Sequence, residues 1–202
     1  DVRTNKLFSE DIVDRLDESN QILRDIYSDK SPAVTRMMDE AESKPEEIKK
    51  KQQEIKDDLD GVLDSLQEWE DYQDVVDSAR DLLAETEKTA AKIRETTANG
   101  NRPDELDNER LAVLADGLNK LAEEMDRKME RVAEKLKVNQ PYYSDKLARA
   151  QEQMSRPEEG GSLDANLMEL DRHLNAKPPR PGQALEATEK IKSKLSSLVD
   201  FL

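Results

Sequence analysis

One stretch, residues 45–97, limits what this chain can fold into. Ile48, Ile55, Val62, Trp69, Val76, Leu83 and Ala90 recur along it every seven residues. A second apolar series interleaves with the first. Leu59 and Leu66 follow their partners by four residues, whereas Tyr72, Ala79, Thr86 and Ile93 follow theirs by three. Alternating steps of three and four belong to one long amphipathic helix. The change of phase at Trp69 is a three-residue slip, which turns the apolar stripe to a new side of the helix. The spacing therefore predicts a helix over about 46–97 that packs with one bundle before Trp69 and with another after it. Ile55, Val62, Leu66, Trp69, Tyr72 and Val76 are the expected junction residues. At about 1.5 Å per residue such a helix is roughly 75 Å long.

Composition narrows the class further. Charged residues make up 39 % of the 202, apolar residues 35 % and aromatics 3 %, with a net charge of −15. That apolar content suits thin bundles in which each helix buries one stripe, and a regular stripe is not what a disordered chain keeps. Without cysteine there is no disulfide framework, and Asp1 opens no recognisable leader, so a cytoplasmic setting is expected. No apolar run is long enough for membrane insertion. The acidic balance would repel the phosphates of nucleic acid.

Before the long stretch, residues 4–29 read as a helix with Ile12, Leu16, Leu23 and Ile26 on one face. Ser31-Pro32 reads as the start of a new, short helix over 32–43, which Pro45 breaks or kinks. Beyond it, Asn99 to Asp104 is a turn. The next helix, 104–138, carries Leu111, Leu114, Leu118, Leu121, Met125, Met129, Val132 and Leu136 in steps of three and four. Tyr143, Leu147, Ala150 and Met154 form a shorter stripe, which Arg156 to Gly161 interrupts. It resumes out of phase as Leu163, Leu167, Leu170 and Leu174, with Ser162 as the expected N-cap. Lys177 to Gly182 is a further break, and a last helix places Leu185, Ile191, Leu195, Leu198 and Leu202 inward. Alternating strand patterns are missing. The expected fold is all-α: a first or partial bundle at 1–66, a second at 67–176, and a linker with the start of a further helix at 177–202.

With one histidine and no cysteine, the chain lacks Cys/His nucleophiles and Cys/His zinc sites. A di-iron bundle needs two Glu-x-x-His motifs. His173, beside Leu174 and flanked by Asp171 and Arg172, reads as a surface or structural residue near a helix C-terminus. Aligning Gly61 with the glycine of an EF-hand loop puts Lys56 and Gln67 where Asp and Glu are required. Gly160-Gly161 lacks the lysine and the preceding strand of a phosphate loop. Pro178 and Pro181 have the spacing of an SH3 ligand, yet read as a stiff linker. No catalytic, cofactor or metal site is expected.

The order of helices from Trp69 onward (69–97, 104–138 and 142–175, with another starting near Gly182) resembles a spectrin repeat, a three-helix coiled coil. In that family a tryptophan lies in the first helix, and the last helix often runs into the next repeat. Trp69 sits at the handover itself, the third helix is interrupted, and Pro178 to Pro181 replaces the continuous linker. This is similar to the divergent repeats of plakin and nesprin linkers. The pattern also resembles the vinculin/α-catenin adhesion modules, whose four-helix bundles would take in residues 4–29 and 182–202.

The resemblance implies a non-catalytic spacer and docking module in a large cytoskeletal or adhesion linker, with protein partners and a cytoskeletal location. One alternative is an adaptor that opens to bind a partner amphipathic helix on Leu111, Leu114, Leu118, Leu121 and Met125. Another is a self-associating coiled-coil dimer, which the phase slip disfavours.

Overall fold

The computed structural model describes residues 10–39, 45–98, 105–157, 160–177 and 179–202. All the regular structure among them is helical. The chain divides into two compact units, one up to Trp69 and one from Glu70 to Leu202. Helices α1 (Glu10–Asp25) and α2 (Ser31–Asp39) are followed by α3 (Pro45–Ala98), which at 54 residues is the longest and carries residues of both units.

A short helix does begin at Ser31-Pro32, but no break precedes it and Ser31 is itself helical. A π-helical segment, Ile26–Lys30, joins α1 directly to α2, and its flanking residues Asp25 and Ser31 keep helical dihedrals. The cause is Pro32. Its ring clashes with the carbonyl four residues back and it has no N–H to donate, so the ladder spreads by one residue on its N-terminal side. Pro45 opens α3, as a first-turn proline can. The expected end of the short helix at 43 and the turn at 99–104 lie outside the described residues.

The second unit has four strands. Residues 70–98 of α3 are followed by α4 (Glu105–Leu136), α5 (Pro141–Ser155) with α6 (Leu163–Leu174), and α7 (Pro181–Phe201). Contacts between neighbours fix their directions. Along α3 and α4, Asp71 pairs with Lys135, and Lys128 Nζ donates to Ser78 Oγ at 2.9 Å. Along α4 and α5, Ser144 Oγ donates to the Ala133 carbonyl at 2.7 Å and Gln151 Nε2 to Asp126 Oδ1 at 2.9 Å. Along α3 and α7, the Tyr72 hydroxyl donates to the Leu202 carbonyl at 2.6 Å, Glu87 meets Lys192 at 2.8 Å, and Arg94 pairs with Glu189. Numbers rise on one helix as they fall on its neighbour, so this is an up-down-up-down bundle.

Its core takes one stripe from each strand: Val75, Ala79, Leu82 and Ile93; Leu118, Met125 and Met129; Leu147, Ala150 and Leu170; Ala184, Ile191 and Leu195. The structure thus corrects the expected boundaries. Residues 181–201 are the fourth strand of this bundle, not the start of a separate helix, and the three-helix repeat gives way to four. The chain reverses between α6 and α7, and the Arg180 N–H donates to the His173 carbonyl at 3.0 Å there.

The third strand is broken where the sequence breaks it. Ser162 caps α6, its hydroxyl accepting from the Ala165 N–H at 3.1 Å. Gly160 and Gly161 take φ values of +102° and +92°. From α7, Lys194 Nζ donates to the carbonyls of Arg156 at 2.9 Å and Gly161 at 2.7 Å, replacing helical partners lost at the break. A Cβ on Gly161 would also meet Asn166 Oδ1 at 3.2 Å, whereas one on Gly160 would meet nothing within 4 Å. Gly161→Ala is therefore expected to cost about 1–3 kcal/mol, and more than Gly160→Ala, in urea unfolding followed by circular dichroism. Equal costs would show that Asn166 moves aside freely.

Candidate docking surface

The first unit closes less of its apolar surface. Lys30, in the π segment, forms an ion pair with Asp58 on α3, 28 residues further along the chain. Collinear helices would hold residues so separated about 40 Å apart, so α1–α2 and residues 45–69 of α3 form an antiparallel hairpin. Ile26, Val34 and Val62 are buried in this unit, and Ile48 and Ile55 are half-buried.

The other apolar series of α3 stays open. Leu63 is 63 % exposed, and Leu59 and Leu66 are also exposed. On the opposite strand Leu23 is exposed and Tyr27 is 83 % so. Tyr27 follows buried Ile26 by one residue, and Leu63 follows buried Val62 by one. One residue is about 100° of helical rotation. On antiparallel strands that step turns both side chains to the same side of the hairpin. Leu23, Tyr27, Leu59, Leu63 and Leu66 therefore make one apolar face. Large exposed apolar faces mark interaction sites, whereas single exposed residues such as Val113 and Met168 in the second unit are ordinary.

The expected junction residues divide accordingly. Tyr72 and Val76 are buried in the second unit and Val62 in the first, while Ile55 is half-buried. Leu66 is exposed, contrary to its expected place in a junction core, because the hairpin supplies one neighbouring helix where two apolar series need two. Leu23, expected inward, is open for the same reason. Trp69 is half-buried, and its indole N–H is buried with no acceptor. The expected partner-helix face lies inside the second bundle: Leu111, Leu118 and Met125 are buried there, with Leu114 and Leu121 partly so.

Among the described residues no group of three His, Cys, Asp or Glu could hold a metal ion. No described helix is long and apolar enough to cross a membrane. Gly61 lies within α3, so the EF-hand alignment has no loop to form on. The groove between α3 and α4 is lined by Asp71, Asp74, Lys128, Arg131 and Lys135, whose opposite charges meet across it. A larger groove, about 590 Å³, lies between α5 and α7 and is lined in part by Gln153, Met154, Ser197 and Phe201. It holds no nucleophile and base in contact.

In the second bundle Glu95, Lys120 and Lys192 are shifted by their ion-pair partners, whereas Tyr72 is shifted by burial. Burial pushes its phenol well above the ordinary value of 10, and the nearby Tyr143 and Tyr142 add to this. The folded state keeps the neutral form to higher pH than the unfolded chain does. The stabilisation is therefore complete below pH 10 and falls as pH rises beyond it. Thermal melts above pH 10 are expected to lose less stability per pH unit in Tyr72→Phe than in the parent, and parallel slopes would exclude Tyr72 as the cause.

Compared with protein-family models, with curated proteins and with solved structures, the chain matches none.

Proposed function

We propose that this protein is a non-catalytic scaffolding module, a spacer and protein-docking element within a large cytoskeletal or cell-adhesion linker. The observation that supports docking is the apolar face of the hairpin, Leu23, Tyr27, Leu59, Leu63 and Leu66, exposed on residues that a closed bundle would bury. The cytoskeletal setting rests on the resemblance of the heptads and helix order to spectrin-like and vinculin-like modules. Proximity labelling in cells, with the parent chain and with Leu63→Lys, tests both parts. Cytoskeletal or adhesion proteins that are labelled by the parent and lost with Leu63→Lys are the expected result. A labelled set without such proteins, or one that the substitution leaves unchanged, would remove this reading.

A second reading, an adaptor that binds a partner amphipathic helix, is favoured by the fourth strand. Because α7 completes the second bundle, that unit has the strand number of the vinculin/α-catenin modules and not of a spectrin repeat. The stripe containing Leu111, Leu118 and Met125 is covered, so such an adaptor would have to open before it binds.

A further inference from the structure

We infer that α5 is a lid on the second bundle, latched by Lys194 and able to swing open while α6 stays folded. The lid belongs to the second bundle alone and does not depend on what docks on the first unit. Breaks bound α5 on both sides. Before it, the turn at 137–139 and Pro141 in its first turn separate it from α4. After it, the helix ends at Arg156 and a new one is capped by Ser162. The positive φ of Gly160 and Gly161 between them marks a backbone free of side-chain restraint. α5 can therefore move without breaking the hydrogen-bond ladder of α6.

Packing and polar ties say which part of the third strand yields. α5 buries Tyr143, Leu147, Ala150 and Met154 over 15 residues, whereas α6 buries four leucines and Asn166 over 12. The groove of about 590 Å³ between α5 and α7 reaches Met154 and Leu198, so this contact is loosely closed. Segments with sparse apolar packing open before the rest of a fold. What ties the C-terminal end of α5 to α7 is Lys194, which donates to the carbonyls of Arg156, at the C-cap of α5, and of Gly161. Its charge also meets the negative end of the α5 dipole. The other end of α5 is held by the Tyr143 ring, 4.9 Å from that of Tyr72, and by Lys146 Nζ, which donates to the Leu202 carbonyl at 3.1 Å. The lid therefore turns about its N-terminal end when Lys194 lets go. Gln151 lies beside Asp126 and Lys194 beside Arg156, so the swing uncovers Met125 and Met129 of α4 and Leu195 and Leu198 of α7, all buried in the closed bundle.

The test is hydrogen–deuterium exchange of the full chain, resolved by segment. In native buffer the α5 amides of the parent should exchange roughly tenfold or more faster than those of α6. Lys194→Met keeps the side-chain stem and removes the charge and its donors. It should speed α5 exchange by about tenfold, the scale of a hydrogen bond made by a charged donor, and leave α6 as in the parent. Lys194→Arg, which keeps both charge and donors, should stay near the parent. Because the chain has no cysteine, Ala150→Cys gives a second readout from a position at 0 % exposure on the inner face of α5. A disulfide reagent should reach that thiol in native buffer, and faster again when Lys194→Met is added.

Exchange of α5 and α6 at one rate in the parent overturns the lid, and that comparison needs no substitution, so it decides even if Lys194→Met does not fold. A thiol at position 150 that reacts only in urea strong enough to unfold the bundle overturns it too. Lys194→Met speeding α5 and α6 equally would make Lys194 a support of the whole bundle and not a latch.

Discussion

Leu195→Ala should lower the unfolding free energy of the second unit by about 2–5 kcal/mol, the range for removing a fully buried leucine from a packed core. Leu195 is at 0 % exposure in a core cluster to which α3, α4, α5, α6 and α7 all contribute side chains. The result bears on architecture as well as packing. If α7 is the fourth strand, truncating its central leucine loosens the whole bundle, and the loss shows in a urea transition followed by circular dichroism. A helix that merely began a further unit could lose Leu195 with only local fraying, and a midpoint within error of the parent would return α7 to that status.

Leu118→Ala is expected to cost a similar amount, about 2–5 kcal/mol, because Leu118 is buried in the same core from α4. Here the sign of a second measurement matters more than the first. An adaptor that must open to expose its stripe has an apparent affinity reduced by the small fraction of open molecules. Destabilising the closed bundle from a residue outside that stripe raises the open fraction. Leu195→Ala should therefore strengthen binding of an amphipathic helical peptide. Leu118→Ala removes a residue of the stripe itself and should gain less, or lose. A titration in which both variants bind as the parent does would eliminate opening as the route to binding.

Much of this organisation is legible in the residues. The steps of three and four in 143–154 and 163–174 mark side chains that are buried without exception, Tyr143, Leu147, Ala150 and Met154, then Leu163, Leu167, Leu170 and Leu174. Ser162 reads as a cap because a hydroxyl before a helical stripe has one strong local use. Three features do not show. A Pro-rich break looks the same whether the chain continues or turns back, and at 177–182 the difference lies in the Arg180 to His173 hydrogen bond. Ser31-Pro32 carries the signature of a helix start, yet a π segment absorbs the proline within a continuous helical run. Periodicity also marks which side chains are apolar, not how many helices are present to cover them. Leu59 and Leu66 satisfy the heptad and are nonetheless exposed.

The pairing of Tyr72 with Leu202 has a mechanical consequence. An odd number of strands carries a chain through a bundle from one end to the other, and tension then slides the outer strands past each other, loading many contacts at once. Four strands bring the chain back to the end at which it entered, and the Tyr72 hydroxyl bonds the Leu202 carbonyl at that end. A pull applied to these two points peels α3 from α7 as a zip opens, so the load falls on Tyr72 and its neighbours first and on Glu87–Lys192 and Arg94–Glu189 later. Such a unit yields at low force and in sequence. As a force-bearing element it would act as a release and not as a strut.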